Sequence, residues 1–475
     1  MSKGASGAPA APLRCRGRAG CSEDRPILAI SSHDRVRRAA LALICTAGAA
    51  ACAPGPTELR IVLITLDTLR YDRFEGGGEL GLPMPRTRAL AERGRVFRHG
   101  YAATSTTQPT HASIFTGLHP WQHGVPRNGV VLASELETVV ERMRARGFAT
   151  AAVVSSFPVH QRFGFDQGFD RFEDSFTAGE RLRWNQIEVP GERFYSQADS
   201  VTERALAQLD ESSGEKQFFW FHYFDAHQPY GDAPGAEPVT LVGLKKALRA
   251  DAAGAAARVA QAERAYDHDV RYLDASLGRL FDRLLADSAS IETHIVIVSD
   301  HGESFGESGS LGHGERLTSE QIRVPLVVVS PRVAPGTSEI AVGSVDVAAT
   351  LESLAGGEEL PGAGIDLTSD PASWPADRRV VGMRRTFAEP YEDIRSDGSV
   401  ERVDGLLFYL VRGGREYVGS ASEVFANDGG PVEPSQREEA EALFEAFASE
   451  LGASPGGELL DQQTQQALEA LGYAR

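Results

Sequence analysis

The chain has 475 residues, enough for one large domain and a smaller one, and its 42% apolar content is that of a globular protein. A formal net charge of −18 excludes nucleic acid as the main partner, because a phosphate backbone is bound by a basic face. Cys15, Cys21, Cys45 and Cys52 are the only cysteines, so the chain beyond residue 52 has no disulfide, cysteine–zinc site or cysteine nucleophile of its own.

Residues 1–35 are rich in Ala, Gly, Pro, Ser and Arg without periodicity, and read as disordered or as a mis-assigned start. Residues 36–52 carry Arg37-Arg38, then the apolar run AALALICTAGAAA, then Cys52. A basic pair, a short apolar run and small residues make a secretory signal, and the run is too short to span a bilayer. Ala49-Ala50-Ala51-Cys52 is similar to a bacterial lipoprotein attachment site, with alanine in place of the usual leucine. The other reading is an ordinary signal peptide with a leftover cysteine. Either way the expectation is an exported protein of the bacterial cell envelope, periplasmic or attached to the membrane through an N-terminal lipid only.

The segment 57–371 reads as the catalytic domain. Residues 59–66, LRIVLITL, are continuously apolar and β-branched, as in a parallel strand buried on both faces. Similar runs occur at Ala149–Val154, Gln217–Tyr223, His294–Ser299 and Val324–Val329. Helical patterns lie between them at Met84–Arg93, Ser134–Arg146, Gln197–Glu211, Val259–Asp287 and Asp346–Gly356. This alternation predicts an α/β fold with a mostly parallel central sheet and helices on both faces. Residues 228–256 form a polar, Ala/Gly-rich insertion and read as a lid. From 372 to 475 the pattern changes to a small α+β subdomain. Its expected elements are strands at Arg379–Met383 and Leu406–Val411 and helices at Gln436–Leu451 and Leu459–Leu471.

The stretch Thr104–Gly124, TSTTQPTHASIFTGLHPWQHG, is central. Pro109 suits the first turn of a helix and Gly117 suits its stop. Thr107 therefore sits at or just before a helix N-terminus, where backbone N–H groups and the helix dipole favour an oxyanion such as phosphate or sulfate. A plain N-cap role is the alternative.

Ligands of α/β sheets collect at the carboxyl ends of strands. Those ends read Leu66-Asp67-Thr68, Phe224-Asp225-Ala226-His227 and Ser299-Asp300-His301-Gly302-Glu303, with His313 between Gly312 and Gly314 further on. Asp, His and Thr are hard or borderline ligands that suit a divalent metal, zinc or manganese ahead of calcium, as one or two ions. Each residue alone could cap a helix or fill a turn; successive strand ends carrying them together point to a site. His111, His119 and His123 flank the central stretch and read as its support, while His99, His268 and His294 read as surface or core residues.

The chain here resembles the sulfatase branch of the alkaline phosphatase superfamily. The matching pieces are ITLDTLRYD, TTQPTHASIFTGLHPWQHGV, GFDQGFDRFED, FDAHQPY, IVSDHGESFGESG with LGHG, IRVPLVV and VDVAATLESLAG, spanning roughly residues 59–360. The closing LEALGYAR resembles the tails of bacterial members. The resemblance implies an alkaline-phosphatase-like fold, a metal held by Asp67, Asp300 and His301 with Thr107, and Thr107 at the nucleophile position. It departs from sulfatases of the C/S-x-P-x-R type: the chain reads Thr107-Gln108-Pro109-Thr110-His111, without a residue convertible to formylglycine and without the arginine. Thr68 stands where many sulfatases carry a second metal-binding Asp, and the lysine and histidine expected near Ser155–Pro158 are missing. A threonine nucleophile is similar to phosphodiesterases and to phosphoethanolamine or glycerolphosphate transferases of the superfamily. In those enzymes, histidines matching His227 and His313 contact phosphate or a second metal, and Asp225 is grouped with them here. The expectation is a metal-dependent phosphate-ester hydrolase or transferase acting on a small-molecule, lipid or glycan ester through a covalent Thr107 intermediate. The alternatives are a sulfatase working without formylglycine and an inactive binding lipoprotein.

Overall fold

In the computed structural model the first apolar run becomes strand β1 (Glu58–Leu66), buried from Arg60 onward. The structure describes residues 58–77, 84–176, 194–286 and 290–453 except positions 359, 361, 363 and 388, together with the backbone of the pairs 183–184 and 187–188. The predicted signal over 36–52, its lipid-attachment Cys52 and the helix expected at Leu459–Leu471 lie outside the described residues.

The remaining strands of the central sheet are β2 (Arg95–Tyr101), β3 (Ala149–Val153), β4 (Arg171–Glu173), β5 (Lys216–Tyr223), β6 (Ile291–Ser299), β7 (Arg323–Val329), β8 (Gly336–Ser338) and β9 (Val342–Gly343). Their order is β8-β2-β7-β6-β1-β5-β3-β4, with β9 also pairing β2. β1, at the centre, pairs in parallel with β5 on one side and β6 on the other. β7 differs from the parallel expectation. It runs antiparallel to both β6 and β2, because the chain returns from β6 through loops and the four-residue helix Ser319–Ile322 rather than through a full crossover helix. β2 has no apolar run because Arg95, Arg98 and His99 interrupt it; its buried residues are Phe97, Gly100 and Tyr101.

Five helices position the site: α1 (Thr107–Thr116), α2 (Ala198–Glu211), α3 (Leu241–Ala250), α4 (Ala255–Ala286) and α5 (Val345–Leu354). Successive β1 side chains point to opposite faces. Val62, Ile64 and Leu66 pack against α2 and α4, and Ile61 and Leu63 lie in the core that holds α1 and α5. α1 is buried along all ten residues and stops at Gly117, whose φ of 70° is left-handed. The expected lid contains α3. Its Leu241 lies against Gly312, and Lys245 pairs with Asp393 of the C-terminal region at 2.6 Å.

The C-terminal region forms a four-stranded antiparallel sheet over residues 379–426, covered by the helix Pro434–Ala453. It is part of the same compact unit as the main sheet. Trp121, just after α1, stacks on Phe447 at 4.2 Å and meets Phe408 edge-on at 6.0 Å. Phe408 and Phe444 are fully buried in the same cluster. Trp121→Ala should therefore cost about 3–5 kcal/mol by emptying this contact. Urea unfolding should show the loss as one shifted transition; a separate early transition already present in the wild type would mean that the C-terminal region folds independently.

Candidate active site

The register of three adjacent strands builds the floor of the site. Leu66 pairs with Tyr223 of β5 and with Ser299 of β6. Asp67 and Asp300 are the next residues along, so both leave the sheet at the same level. Asp67 N–H donates to Tyr223 O at 2.8 Å and Asp300 N–H to Leu66 O at 3.3 Å. His301 follows directly. Asp67, Asp300 and His301 each offer a ligand atom within 4.8 Å of the others, and all are fully buried.

Both carboxylate oxygens of Asp67 and Oδ2 of Asp300 are buried without a hydrogen-bond partner. Burial, then the neighbouring Asp300 charge, pushes the Asp67 carboxyl well above the usual range. Orphaned buried carboxylates facing one another are costly unless a cation joins them, so the donor set fits a divalent metal. His301 Nδ1 lies 3.0 Å from Gly302 O and donates to it. That leaves the Nε2 lone pair aimed at the group, the arrangement by which an outer carbonyl orients a ligating histidine.

Thr107 is the first helical residue of α1, after the extended Thr106. Its Oγ1 lies 3.4 Å from His301 Nε2. The helix end offers fewer free amides than the sequence implies. Asn128 Oδ1 accepts from Gln108 N–H at 2.9 Å, and Pro109 has no N–H.

Two further histidines wall the floor. His111 Nδ1 donates to Thr107 O at 2.9 Å, and its Nε2 meets Thr65 Oγ1 at 3.1 Å. Thr65 Oγ1 in turn accepts from Trp220 Nε1–H, so the hydroxyl proton goes to His111 and fixes its tautomer. His222 Nδ1 meets Ser155 Oγ at 2.9 Å, and its Nε2 faces Asp67 Oδ2 at 3.6 Å. Burial lowers the His111 pKa to about 3 and that of His222 to about 4, so both are neutral around the carboxylates. These two histidines therefore bring no positive charge to Asp67 and Asp300.

His227 and His313 close the other side. Their rings are 5.1 Å apart, and His313 is 4.3 Å from the His301 ring. His227 Nδ1 donates to Gln228 O at 2.7 Å, and its ring stacks on Phe224 at 4.4 Å. Burial opposes charge on His313, but Glu303, at 3.1 Å from its Nδ1, outweighs it and raises the pKa. Burial and the His313 charge instead lower the His227 pKa well below the usual value.

Asp225 is not brought into this group. Its Oδ1 accepts from Ala198 N–H at the start of α2, and the charges that act on it are those of Asp269 and Asp232. The physical reason is the turn after β5: Asp225 faces the helix start while His227, two residues on, faces the floor. Glu303 lay inside a motif read from the sequence without a role, and His222 was missed because it lies within β5, one residue before its end, where the strand-end rule does not look. His123 bonds Ser113 Oγ at 3.1 Å and His119 stacks on Trp121 at 4.6 Å, both behind α1 rather than in the site.

Comparison with known proteins gives a family model, and curated relatives and solved structures beside it. The model described as Sulfatase matches residues 60–357. The choline-sulfatase of Rhizobium meliloti (strain 1021) is 26% identical over 349 residues, 62% of this chain and 67% of that protein. A solved structure in complex with its substrate D-glucosamine-2-N,6-O-disulfate superposes with a TM-score of 0.64 at 17% identity, over 84% of this chain and 99% of that one. A phosphonate monoester hydrolase from Silicibacter pomeroyi gives 0.61 at 17% identity, over 86% and 96%.

The buried carboxylates make the fit to a metal measurable without any substrate. In metal-free protein, Asp67→Asn should leave the melting temperature unchanged or raise it, since it removes one of two facing buried charges. With a divalent ion added, the wild type should gain several degrees and the variant little, by linkage of binding to folding. Equal gains in both would remove Asp67 from the ligand set.

Proposed function

The chain belongs to the sulfatase family of the alkaline phosphatase superfamily, and from that premise we propose that it cleaves or transfers a phosphate ester through a covalent intermediate on Thr107. It is an ester hydrolase of that family; phosphate as the ester, and threonine as the nucleophile, are our reading. The observation that supports it most is the Thr107 hydroxyl, 3.4 Å from His301 Nε2 at the head of α1, with threonine and not a formylglycine precursor at that position.

Asp67, Asp300 and His301 would hold the divalent metal, with Thr107 beside them, and when bound the metal would supply the charge that makes a threonine hydroxyl a competent nucleophile. The residues of the chain account for the rest. Thr107 Oγ1 bonds to phosphorus as the bond from phosphorus to the ester oxygen breaks, and the hydroxyl proton ends on the departing alcohol. Water or an acceptor alcohol then attacks phosphorus as the bond from phosphorus to Thr107 Oγ1 breaks, and the proton of the attacking hydroxyl ends on Thr107. His313, kept basic by Glu303, and His227 face the equatorial oxygens, where negative charge must be balanced. His111 holds the Thr107 carbonyl, and with it the first turn of α1, in place. The neutral, buried His111 and His222 exclude water from the floor.

A second reading, hydrolysis of a sulfate ester by the same threonine, is supported by the choline-sulfatase likeness. On either reading the substrate is a small-molecule or glycan ester. We further propose export and lipid attachment at Cys52, on the Arg37-Arg38 pair and the apolar run that follows it.

Thr107→Ala should keep the metal-dependent rise in melting temperature and lose on the order of 10³-fold or more in kcat, as removal of an activated nucleophile does. Thr107→Ser should retain more activity because the hydroxyl survives. Assays on paired aryl phosphate, phosphodiester and sulfate substrates decide the ester. A wild type that turns over the sulfate in preference to every phosphate ester overturns the first reading and supports the second.

A further inference from the structure

Above the head of α1 the otherwise acidic chain gathers arginines. Asn128, which caps Gln108 N–H, is preceded by Arg127. The loop is stitched to α1 a second time by Gly129 N–H and Gln108 Oε1. Arg127 is partly exposed and, among the described residues, has no hydrogen-bond or ion-pair partner. Burial is the first cause that lowers its pKa, and the charge of Arg385 is the second.

Arg385 comes from the C-terminal region and reaches the same place. The neighbouring Thr386 N–H donates to Pro126 O at 3.1 Å, so this segment lies along the Arg127 loop. A Cβ built on Gly314 would meet Arg385 Nε at 3.0 Å and Thr106 Cγ2 at 3.1 Å, so Arg385 and the residue before Thr107 touch the same glycine. Gly314 directly follows His313. Glu315 takes Arg385 Nη2 at 3.2 Å and Tyr391 O–H at 2.8 Å on one oxygen, and its other oxygen is buried without a partner. Glu315 cancels one of the two arginine charges, and the other is left at the rim.

Two arginines on segments joined by a backbone hydrogen bond, one of them without a partner among the described residues, offer positive charge to an anion. The floor groups, Asp67, Thr107, Asp300 and His301, are fully buried, whereas Arg127 is partly exposed. That depth separates Arg127 from the reacting group, while Arg385 is buried against Glu315. We propose that Arg127 and Arg385 form a clamp for a second anionic group, a carboxylate or a sulfonate-like oxyanion, on the part of the substrate that is not attacked. This rests on the reading of Thr107 as the head of the reaction site. It narrows the substrate class to esters of alcohols that themselves carry negative charge.

The test measures binding in the Thr107→Ala background, so that no turnover is required. Calorimetry compares phenyl phosphate with 4-carboxyphenyl phosphate and 4-sulfophenyl phosphate, and the corresponding aryl sulfates, on metal-loaded protein. The charged member of a series should bind about tenfold or more tightly, as a charge-assisted guanidinium contact provides. Adding Arg127→Ala should bring that ratio close to one, and Arg127→Lys should recover part of it. Arg385→Gln should act in the same direction; a misfolded Arg385 variant leaves the Arg127 arms decisive. A ratio near one in the Thr107→Ala protein, or a ratio that survives Arg127→Ala, overturns the clamp. Equal weakening of charged and uncharged ligands also overturns it, because it assigns the arginine to the reacting group. An active Thr107→Ala enzyme instead overturns the nucleophile, and the same ratios are then read from kcat/KM.

Discussion

Everything in this molecule that bears on chemistry depends on one electrostatic constraint: two aspartates emerge side by side, fully buried, from the centre of a sheet. Asp67 and Asp300 follow residues that are paired across β1 and β6, so the register itself sets their separation. Three of their four carboxylate oxygens have no hydrogen-bond partner, and the nearby His111 and His222 are too buried to hold a proton. A fold that leaves buried carboxylate oxygens without donors suits them to a cation.

The backbone around them bears strain in keeping with that demand. Thr68 is the one non-glycine among the described residues with positive φ, at 53°. A β-branched residue is disfavoured there, by roughly 1–3 kcal/mol. The surroundings hold it: Thr68 N–H donates to Asp300 Oδ1, Leu69 N–H to Ser299 Oγ, and Tyr266 O–H to Thr68 O. The same bonds tie the turn after β1 to the turn after β6. Helix α1 is then laid over both with its first residue at His301, and the Trp121 cluster fixes α1 from behind. Sheet register, strained turn and buried helix converge on one hydroxyl.

Much of this was legible in the sequence, for reasons that are particular. β1, β5 and β6 are buried on both faces, and so their residues are continuously apolar. Asp67, Asp300 and His301 follow such runs directly, which is why the strand-end rule found them. β2 escaped because charged residues break it, and the direction of β7 escaped because an apolar run has no polarity. Asp225 shows the limit of the same rule. It too follows a strand, but one residue of turn aims it at Ala198, and no pattern of residue types encodes that angle. The arginines could not be grouped at all from sequence, since the segments of Arg127 and Arg385 meet only after the C-terminal region packs against the Arg127 loop.

The account comes down to whether the reacting ester is transferred to Thr107 before it is released. Wild-type enzyme loaded with a divalent metal is mixed with an aryl phosphate, quenched in acid within the first turnovers and digested for peptide mass spectrometry. The account predicts a phosphoryl group on the peptide that contains Thr107, localised to that residue and lost on longer incubation after substrate is exhausted. Rapid turnover of the phosphate ester with that peptide unmodified at every quench time, or with the phosphoryl group on another residue, would contradict it.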